Sequence, residues 1–334
     1  MKKNIIFALS AAKEIANEIE NKYEIPISPI KIIHFADGEI LVKPMITVRG
    51  EDVTIIQSIN DPVNENLMEL LIAIDAIKRS SAHNINVIIP YMGYSRQDRK
   101  SNPHEPITFK LVANMLQVAG ATRIVTFDIH SEQTQGFFDI PFDSLQASLF
   151  LLDEFIAKTK INNFTVVSPD YGGIKRAKDI SQKFNLPLAI IDKRRPAPNE
   201  VEVTNILGDV KDKNCVIFDD MIDTGGTMVA ASKLLKEKGA KTVNILVTHG
   251  LFNKNAEANF KEAYENNFIN NVFVTNTIHK EMNLPNLHIV SVARPIAKII
   301  DLFTVGHGSM SCIIKDGVHD IIAEIKKMLN NNAK

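Results

Sequence analysis

The chain has 334 residues, 45% of them hydrophobic, with 38 basic against 39 acidic side chains and a net charge of −1. That length suits about two domains of ordinary size, and the balanced charge leaves no electrostatic footprint for nucleic acid or an anionic membrane. Two cysteines, Cys215 and Cys312, argue against a disulfide framework, and no run approaches the ~18 apolar residues of a membrane span, so the expected setting is the cytoplasm.

Met1-Lys2-Lys3 before a short apolar run has the outline of a leader peptide. Ser10 breaks that run, and Lys13, Glu14, Glu18 and Glu20 follow at once. The expectation is a first strand over Asn4–Leu9, with Ser10 capping a helix over Ala11–Asn21. Strand and helix patterns then alternate. Val53–Gln57 reads as a strand, Leu67–Ser81 as a helix, and Ile85–Ile89 as a strand closed by Pro90. A helix over Ile107–Val118 stops at Gly120, and a strand over Ile124–Phe127 ends at Asp128-Ile129-His130.

A second round follows: a helix over Leu149–Thr159, a strand over Phe164–Val167, a helix over Ile174–Lys183 and a strand over Leu188–Ile191. Strands over Cys215–Phe218, Val243–Thr248 and Val272–Val274 come next, and a tail helix over Val318–Leu329. This βαβα order predicts an α/β fold with parallel sheets flanked by helices. The two rounds predict tandem domains, 1–148 and 149–334.

Charged residues gather where the strands end, which is where open parallel sheets bind ligands. The most informative stretch is Asp219-Asp220-Met221-Ile222-Asp223-Thr224-Gly225-Gly226-Thr227. An apolar strand stops at two carboxylates, a loop of small residues follows, and a helix begins, with Met228, Ala231, Leu234 and Leu235 on one face and Gly239 as its stop. Loop N–H groups at a helix N-terminus make an anion site, and glycines let a phosphate approach the backbone. The carboxylates beside it suit sugar hydroxyls or Mg²⁺. A βα turn with a capping Asp is the plain alternative. The stretch is neither a Walker A loop nor Gly-x-Gly-x-x-Gly. It resembles the phosphoribosyl-binding motif of the type I phosphoribosyltransferase fold.

Other clusters are weaker singly. Phe35-Ala36-Asp37-Gly38-Glu39 pairs an aromatic with two carboxylates in a turn. Tyr94-Ser95-Arg96-Gln97-Asp98-Arg99-Lys100 suits polyphosphate, because Arg offers paired N–H donors. Asp170-Tyr171-Gly172-Gly173 repeats the acid-plus-glycine logic. Asp192-Lys193-Arg194-Arg195-Pro196 opens a stretch poor in periodicity, up to about Asn205, that reads as a mobile basic lid.

In this combination and order, the chain resembles the class I ribose-phosphate pyrophosphokinases over nearly its whole length. The likeness is strongest at Glu69–Asp75, Ile89–Lys100, Asp128–Pro141, Ser168–Ala177, Asp192–Arg195 and Val216–Thr227. The resemblance implies two tandem type I phosphoribosyltransferase-like domains. It implies transfer of the pyrophosphoryl group of Mg²⁺-ATP to the 1-hydroxyl of ribose 5-phosphate, giving 5-phosphoribosyl 1-pyrophosphate and AMP for nucleotide biosynthesis.

Carried over, Asp219, Asp223, Thr224, Gly225, Gly226 and Thr227 hold ribose 5-phosphate. Phe35, Asp37, Gly38, Glu39, Arg96 and Gln97 bind ATP. His130 and Asp170 hold Mg²⁺, and Lys193 and Arg195 act in catalysis, Arg195 also touching the sugar phosphate. Asp220 orients or deprotonates the 1-hydroxyl. The resemblance also implies a homohexamer, with phosphate and ADP as effectors at Thr47, Arg49, Gln135, Asp143, Ser144, Ser309 and Ser311.

The chain departs from the family pattern at three places. His34 stands where Arg is usual, Tyr171 replaces a small residue, and the segment 306–312 is altered. Two alternatives share parts of this pattern: a phosphoribosyltransferase and a non-catalytic regulatory homologue.

Overall fold

The structure, a computed structural model, describes residues 3–194, 203–306, 323 and 325–327. It divides into two units. One takes residues up to 146, 277–279 and 291–317, and the other takes 147–276, 280–290 and 318–334.

The first unit begins with β1 (Asn4–Ala8), α1 (Lys13–Tyr23), β2 (Ile30–His34), β3 (Ile40–Pro44) and β4 (Asp52–Ile56). It continues with α2 (Val63–Arg79), β5 (Asn84–Ile89), α3 (Thr108–Ala119), β6 (Arg123–Phe127) and β7 (Phe142–Leu145). Five strands form an all-parallel sheet in the order β1-β4-β5-β6-β7, and β2 and β3 pair apart as an antiparallel hairpin. Alternation sets the faces: Ile5, Phe7, Val53, Ile55, Ile85, Val87, Ile89 and Ile124 point into one core. Leu67, Leu70, Ala73, Ile74 and Ile77 of α2 pack into the same core at helical spacing. Ser10 does not cap α1. It lies in a 3-10 turn, and its hydroxyl donates to Glu69 Oε2 at 2.7 Å.

The second unit contains α4 (Ser148–Thr159), β8 (Thr165–Ser168), α5 (Ile174–Phe184), β9 (Leu188–Arg194), β10 (Val203–Leu207) and β11 (Asn214–Ile222). Then come α6 (Gly226–Glu237), β12 (Thr242–Gly250), α7 (Ala256–Glu265), β13 (Asn271–Thr275) and β14 (Leu287–Val290). The last labelled helix, α8 (Ala293–Val305), returns to the first unit and packs on α1 and β1. The second sheet runs β10-β9-β8-β11-β12-β13-β14, with only β10 antiparallel.

Cys215 and Ile217 of β11 face α6 and α7, while Val216 and Phe218 face α4 and α5. A strand buried on both sides reads as a continuous apolar run, as this one does. Phe155 of α4 meets Phe164 and Phe273 edge-on, each at 5.7 Å between centroids.

Two further sequence expectations change. The strand expected to stop at Phe218 runs through Asp219 and Asp220 to Ile222, because β12 keeps pairing with it as far as Gly250. The expected lid from Asp192 begins as strand: β9 carries Asp192, Lys193 and Arg194 opposite Asn205, Thr204 and Val203 of β10. Arg195 and the rest of the connection up to residue 202 lie outside the described residues, as do Ser309, Ser311 and eight of the twelve residues of the expected tail helix, whose described residues 323 and 325–327 are helical.

Candidate active site

In the second sheet the strand order reverses between β8 and β11. The chain leaves β8 through α5 toward β9, and leaves β11 through α6 toward β12. The loops after β8 and β11 therefore diverge and open a crevice at the carboxyl ends of the strands. Both glycine-containing loops singled out in the sequence lie there.

After β11, Asp223 and Thr224 lead to Gly225, which caps α6 in the left-handed region at φ +79°. A Cβ at Gly225 would come within 2.7 Å of the ring of the fully buried Phe260, so the position needs glycine on two counts. The first turn of α6 has no side-chain cap, which leaves its N–H groups directed at the crevice. After β8, Asp170 Oδ1 accepts the Gly173 N–H at 3.0 Å, and Ser168 Oγ donates to the Asp170 carbonyl at 2.7 Å. A Cβ at Gly173 would sit 3.0 Å from Ser168 Oγ and 3.8 Å from Asp219 Oδ1, so the two loops approach closely.

Between them stands a cation that the sequence reading missed. Arg176, in the first turn of α5, reaches Asp219 Oδ1 at 3.2 Å and Asp220 Oδ1 at 3.7 Å. Burial, and then the charge of Asp220, push the Asp219 carboxyl well above the usual aspartate range, and Arg176 pulls against them. Arg176 carried no sequence signal because a lone Arg in a Lys-rich helix reads as a solvated face. Asp223 is held from outside its loop: Asn253 Nδ2 donates to Asp223 Oδ1 at 3.0 Å, and the Asn253 N–H donates to the Asp223 carbonyl at 2.8 Å. Asn259 Nδ2 donates to the Thr224 carbonyl at 3.0 Å.

The first unit presents its own cluster. Phe35–Glu39 is the turn of the β2–β3 hairpin, closed by the Phe35 N–H to the Glu39 carbonyl at 2.8 Å and the Glu39 N–H to Asp37 Oδ1 at 3.1 Å. Gly38 takes φ +92° and the Phe35 ring is half exposed. Arg96 and Gln97 follow β5 in a loop that is pinned in place. A Cβ on Gly93 would fall 2.4 Å from the Ile59 carbonyl oxygen, so this loop packs directly on the one after β4. Tyr94 adopts φ +62°, and its hydroxyl donates to Asn64 Oδ1. Thr108 Oγ1 donates to Gln97 Oε1 at 2.6 Å.

His130 follows β6 and is exposed. Of the expected effector residues, Asp143 is paired with Arg123 at 2.7 Å, and Ser144 Oγ accepts the Ile129 N–H at 3.1 Å. Gln135 lies in a 3-10 turn, Arg49 Nη1 donates to Ser81 Oγ at 3.4 Å, and Thr47 is exposed. The departure at His34 ends β2, with Nε2 4.0 Å from the buried Glu69 carboxylate. Tyr171 is exposed beside its loop.

No group of three or more His, Cys, Asp and Glu side chains gathers in a metal-binding arrangement among the described residues. Among them, too, no helix is long and apolar enough to cross a membrane.

Comparison with known proteins agrees with this arrangement. Residues 4–120 match the model of the N-terminal domain of ribose phosphate pyrophosphokinase, and residues 143–285 match the phosphoribosyl transferase domain. The chain is 55% identical over 310 residues to a ribose-phosphate pyrophosphokinase of Ureaplasma parvum, covering 92% of this chain and 94% of that protein. It is 53% identical over 277 residues to a namesake from Mycoplasma genitalium, covering 83% of each. The crystal structure of phosphoribosylpyrophosphate synthetase from Mycobacterium smegmatis superposes with a TM-score of 0.85 at 38% identity, over 92% of this chain and all of that one. A phosphoribosyltransferase domain alone would leave the first 120 residues unmatched. With both halves and near full-length relatives in agreement, this chain belongs to the ribose-phosphate pyrophosphokinase family.

Proposed function

We propose that the protein transfers the β,γ-pyrophosphoryl group of Mg²⁺-ATP to the 1-hydroxyl of ribose 5-phosphate, releasing AMP and supplying 5-phosphoribosyl 1-pyrophosphate for nucleotide biosynthesis. The observation that carries this reading is the pairing of an uncapped helix N-terminus at Gly225-Gly226 with the carboxylates of Asp219, Asp220 and Asp223 at one crevice. A sugar phosphate needs both: N–H donors for its 5-phosphate and acceptors for its hydroxyls.

In this reading the amides of Thr224–Thr227 take the 5-phosphate, and Asp219 and Asp223 accept from the ring hydroxyls. Asp220 orients the 1-hydroxyl. That oxygen forms a bond to the β-phosphorus, the bond from the β-phosphorus to the α-phosphate oxygen breaks, AMP leaves with that oxygen, and the Asp220 carboxylate takes the hydroxyl proton. Phe35 stacks on the adenine, Asp37, Gly38 and Glu39 meet its edge, and Arg96 and Gln97 hold the phosphates. Lys193 and Arg195 stabilise charge on the transferring group, a contribution made mainly in the transition state.

His130 and Asp170 would hold the Mg²⁺, which would neutralise charge on the phosphates. One donor from each residue suits a hard cation that keeps several waters and is bound largely through substrate oxygens. The protein works in the cytoplasm as a homohexamer, with phosphate and ADP as effectors.

The test is product analysis with ATP, Mg²⁺ and ribose 5-phosphate. AMP formed only when the sugar phosphate is present is the expected result. ADP in its place would mean an ordinary kinase, and sugar-phosphate binding without nucleotide turnover would mean a regulatory homologue. Lys193→Ala should lower kcat by roughly a thousandfold or more while ribose 5-phosphate binding persists. Lost binding with retained turnover would refute the role given to Lys193.

A further inference from the structure

The loop that joins β12 to α7 bonds to the sugar-phosphate loop, and it is built under strain. Two residues without glycine's freedom adopt left-handed backbone there, Phe252 at φ +46° and Lys254 at φ +53°. For a phenylalanine this is a genuine outlier, and such strain persists only where the surroundings enforce it. Asn253 is the residue held between them.

The enforcing contacts are visible. The Leu251 and Phe252 N–H groups both donate to the Ile222 carbonyl, at 2.9 and 3.2 Å, and the Asn253 N–H donates to the Asp223 carbonyl at 2.8 Å. The loop is thus zipped along residues 222 and 223, at and just past the end of β11. The Phe252 ring fills the space over Gly250, where a Cβ would meet it at 2.6 Å. The same ring stands edge-on to Phe260, 5.8 Å between centroids, which in turn covers Gly225.

The Asn253 amide is oriented from both ends. Lys280 Nζ donates to the Leu251 carbonyl at 2.8 Å and stands 3.4 Å from Asn253 Oδ1. An ammonium has only donors and a carboxylate only acceptors. The cation therefore fixes Oδ1 on its own side and turns Nδ2 toward Asp223 Oδ1, which it meets at 3.0 Å. Reversing the amide would set the –NH₂ against the ammonium and oxygen against carboxylate.

We infer that Asn253 is a positioning residue for sugar-phosphate binding: through the Lys280–Asn253–Asp223 chain it holds the Asp223 carboxylate in the rotamer that accepts from the ring hydroxyls. Asn259, donating to the Thr224 carbonyl, fixes the next residue of the same loop. The inference rests on the proposed binding of ribose 5-phosphate at this loop. It assigns the affinity of that site partly to side chains that never touch the ligand.

Asn253→Asp is the sharp perturbation. It keeps size and shape, removes the donor and sets a carboxylate against a carboxylate. The KM for ribose 5-phosphate should rise by about tenfold or more, equivalent to about 1.4 kcal/mol. The KM for ATP and kcat should stay within about threefold, as expected when binding common to ground and transition states is lost. Calorimetric titration of ribose 5-phosphate alone should show the same loss of affinity.

Lys280→Met, at an exposed side chain, frees the amide to reverse and should raise the same KM by about threefold. It serves as the second variant if Asn253→Asp fails to fold. Equal changes in both KM values, or a loss confined to kcat, would overturn the positioning role. So would unchanged ribose 5-phosphate affinity in both variants while the wild type binds it. A wild type that neither binds nor turns over ribose 5-phosphate would take down the functional reading itself, and this inference with it.

Discussion

Gly225→Ala tests the architecture of the phosphate loop at a single atom. At φ +79° an alanine pays for left-handed backbone, roughly 1–2 kcal/mol. Its Cβ also lands 2.7 Å from the Phe260 ring, and a ring with no exposed surface cannot step aside. Overpacking of that kind costs roughly 1–3 kcal/mol. The sum is about 2–5 kcal/mol, or roughly 4–20 °C in the melting of a unit of this size. The chain has no Trp, so far-UV circular dichroism is the readout.

The two contributions separate in a double variant. Gly225→Ala with Phe260→Leu gives the Cβ room but leaves the backbone strained, so the clash part of the loss should disappear and the dihedral part remain. Each variant needs its own Phe260→Leu control, since trimming that ring opens a cavity. A Gly225→Ala protein as stable as the wild type, with unaltered sugar-phosphate affinity, would refute both the strain and the close approach.

Arg176→Met should cost on the order of 3 kcal/mol at neutral pH, because it leaves two partly buried carboxylates without their cation. The sign of its pH dependence follows from Asp219, whose folded-state pKa is raised. The penalty of that group is absent below the ordinary aspartate value of 3.8 and complete once pH passes the raised folded value. Arg176 opposes the rise, so the gap in melting temperature between variant and wild type should widen as pH climbs above the ordinary aspartate value of 3.8; a constant gap would contradict the account. Thr126→Val should be neutral or stabilise by about 1 kcal/mol in urea unfolding, since the Thr126 hydroxyl is buried without a hydrogen-bond partner among the described residues. Cys215 is buried, and that burial pushes its thiol up to about 12. In a Cys312→Ser background it should resist disulfide reagents until the protein unfolds, and fast labelling of native protein would show otherwise.

The legible parts of the sequence were those in which chemistry and backbone geometry coincide. Asp219–Thr227 announces itself because a pair of acids and a glycine turn follow directly on a buried strand. Phe35–Glu39 was legible as a turn, but its hairpin was not: Ile30–His34 and Ile40–Pro44 are only five residues each, and apolar Leu41 on the exposed side of the second hides its alternation. β10 escaped because Val203–Leu207 pairs on one side only, at the sheet edge, where polar residues are tolerated. Arg176, Asn253 and Asn259 left no local trace. Their meaning comes from partners 43, 30 and 35 residues away along the chain, and no window of periodicity spans such distances.

The return of the chain to the first unit has a consequence for how the protein is made. β1 is an edge strand, and α8 lies against it, with Asn4 Nδ2 donating to Thr304 Oγ1 at 3.1 Å across 300 residues of sequence. Thr277 returns earlier, its carbonyl accepting from Ser58 Oγ at 2.6 Å. During synthesis the second unit has all of its strands once residue 290 has emerged, while the first still lacks the helix that covers its opening strand. The unit that starts first waits for a helix made after every strand of the second. A ribosome stalled before α8 would hold a nascent chain with β1 uncovered, and no single cut in the sequence yields two fragments that each own a whole unit.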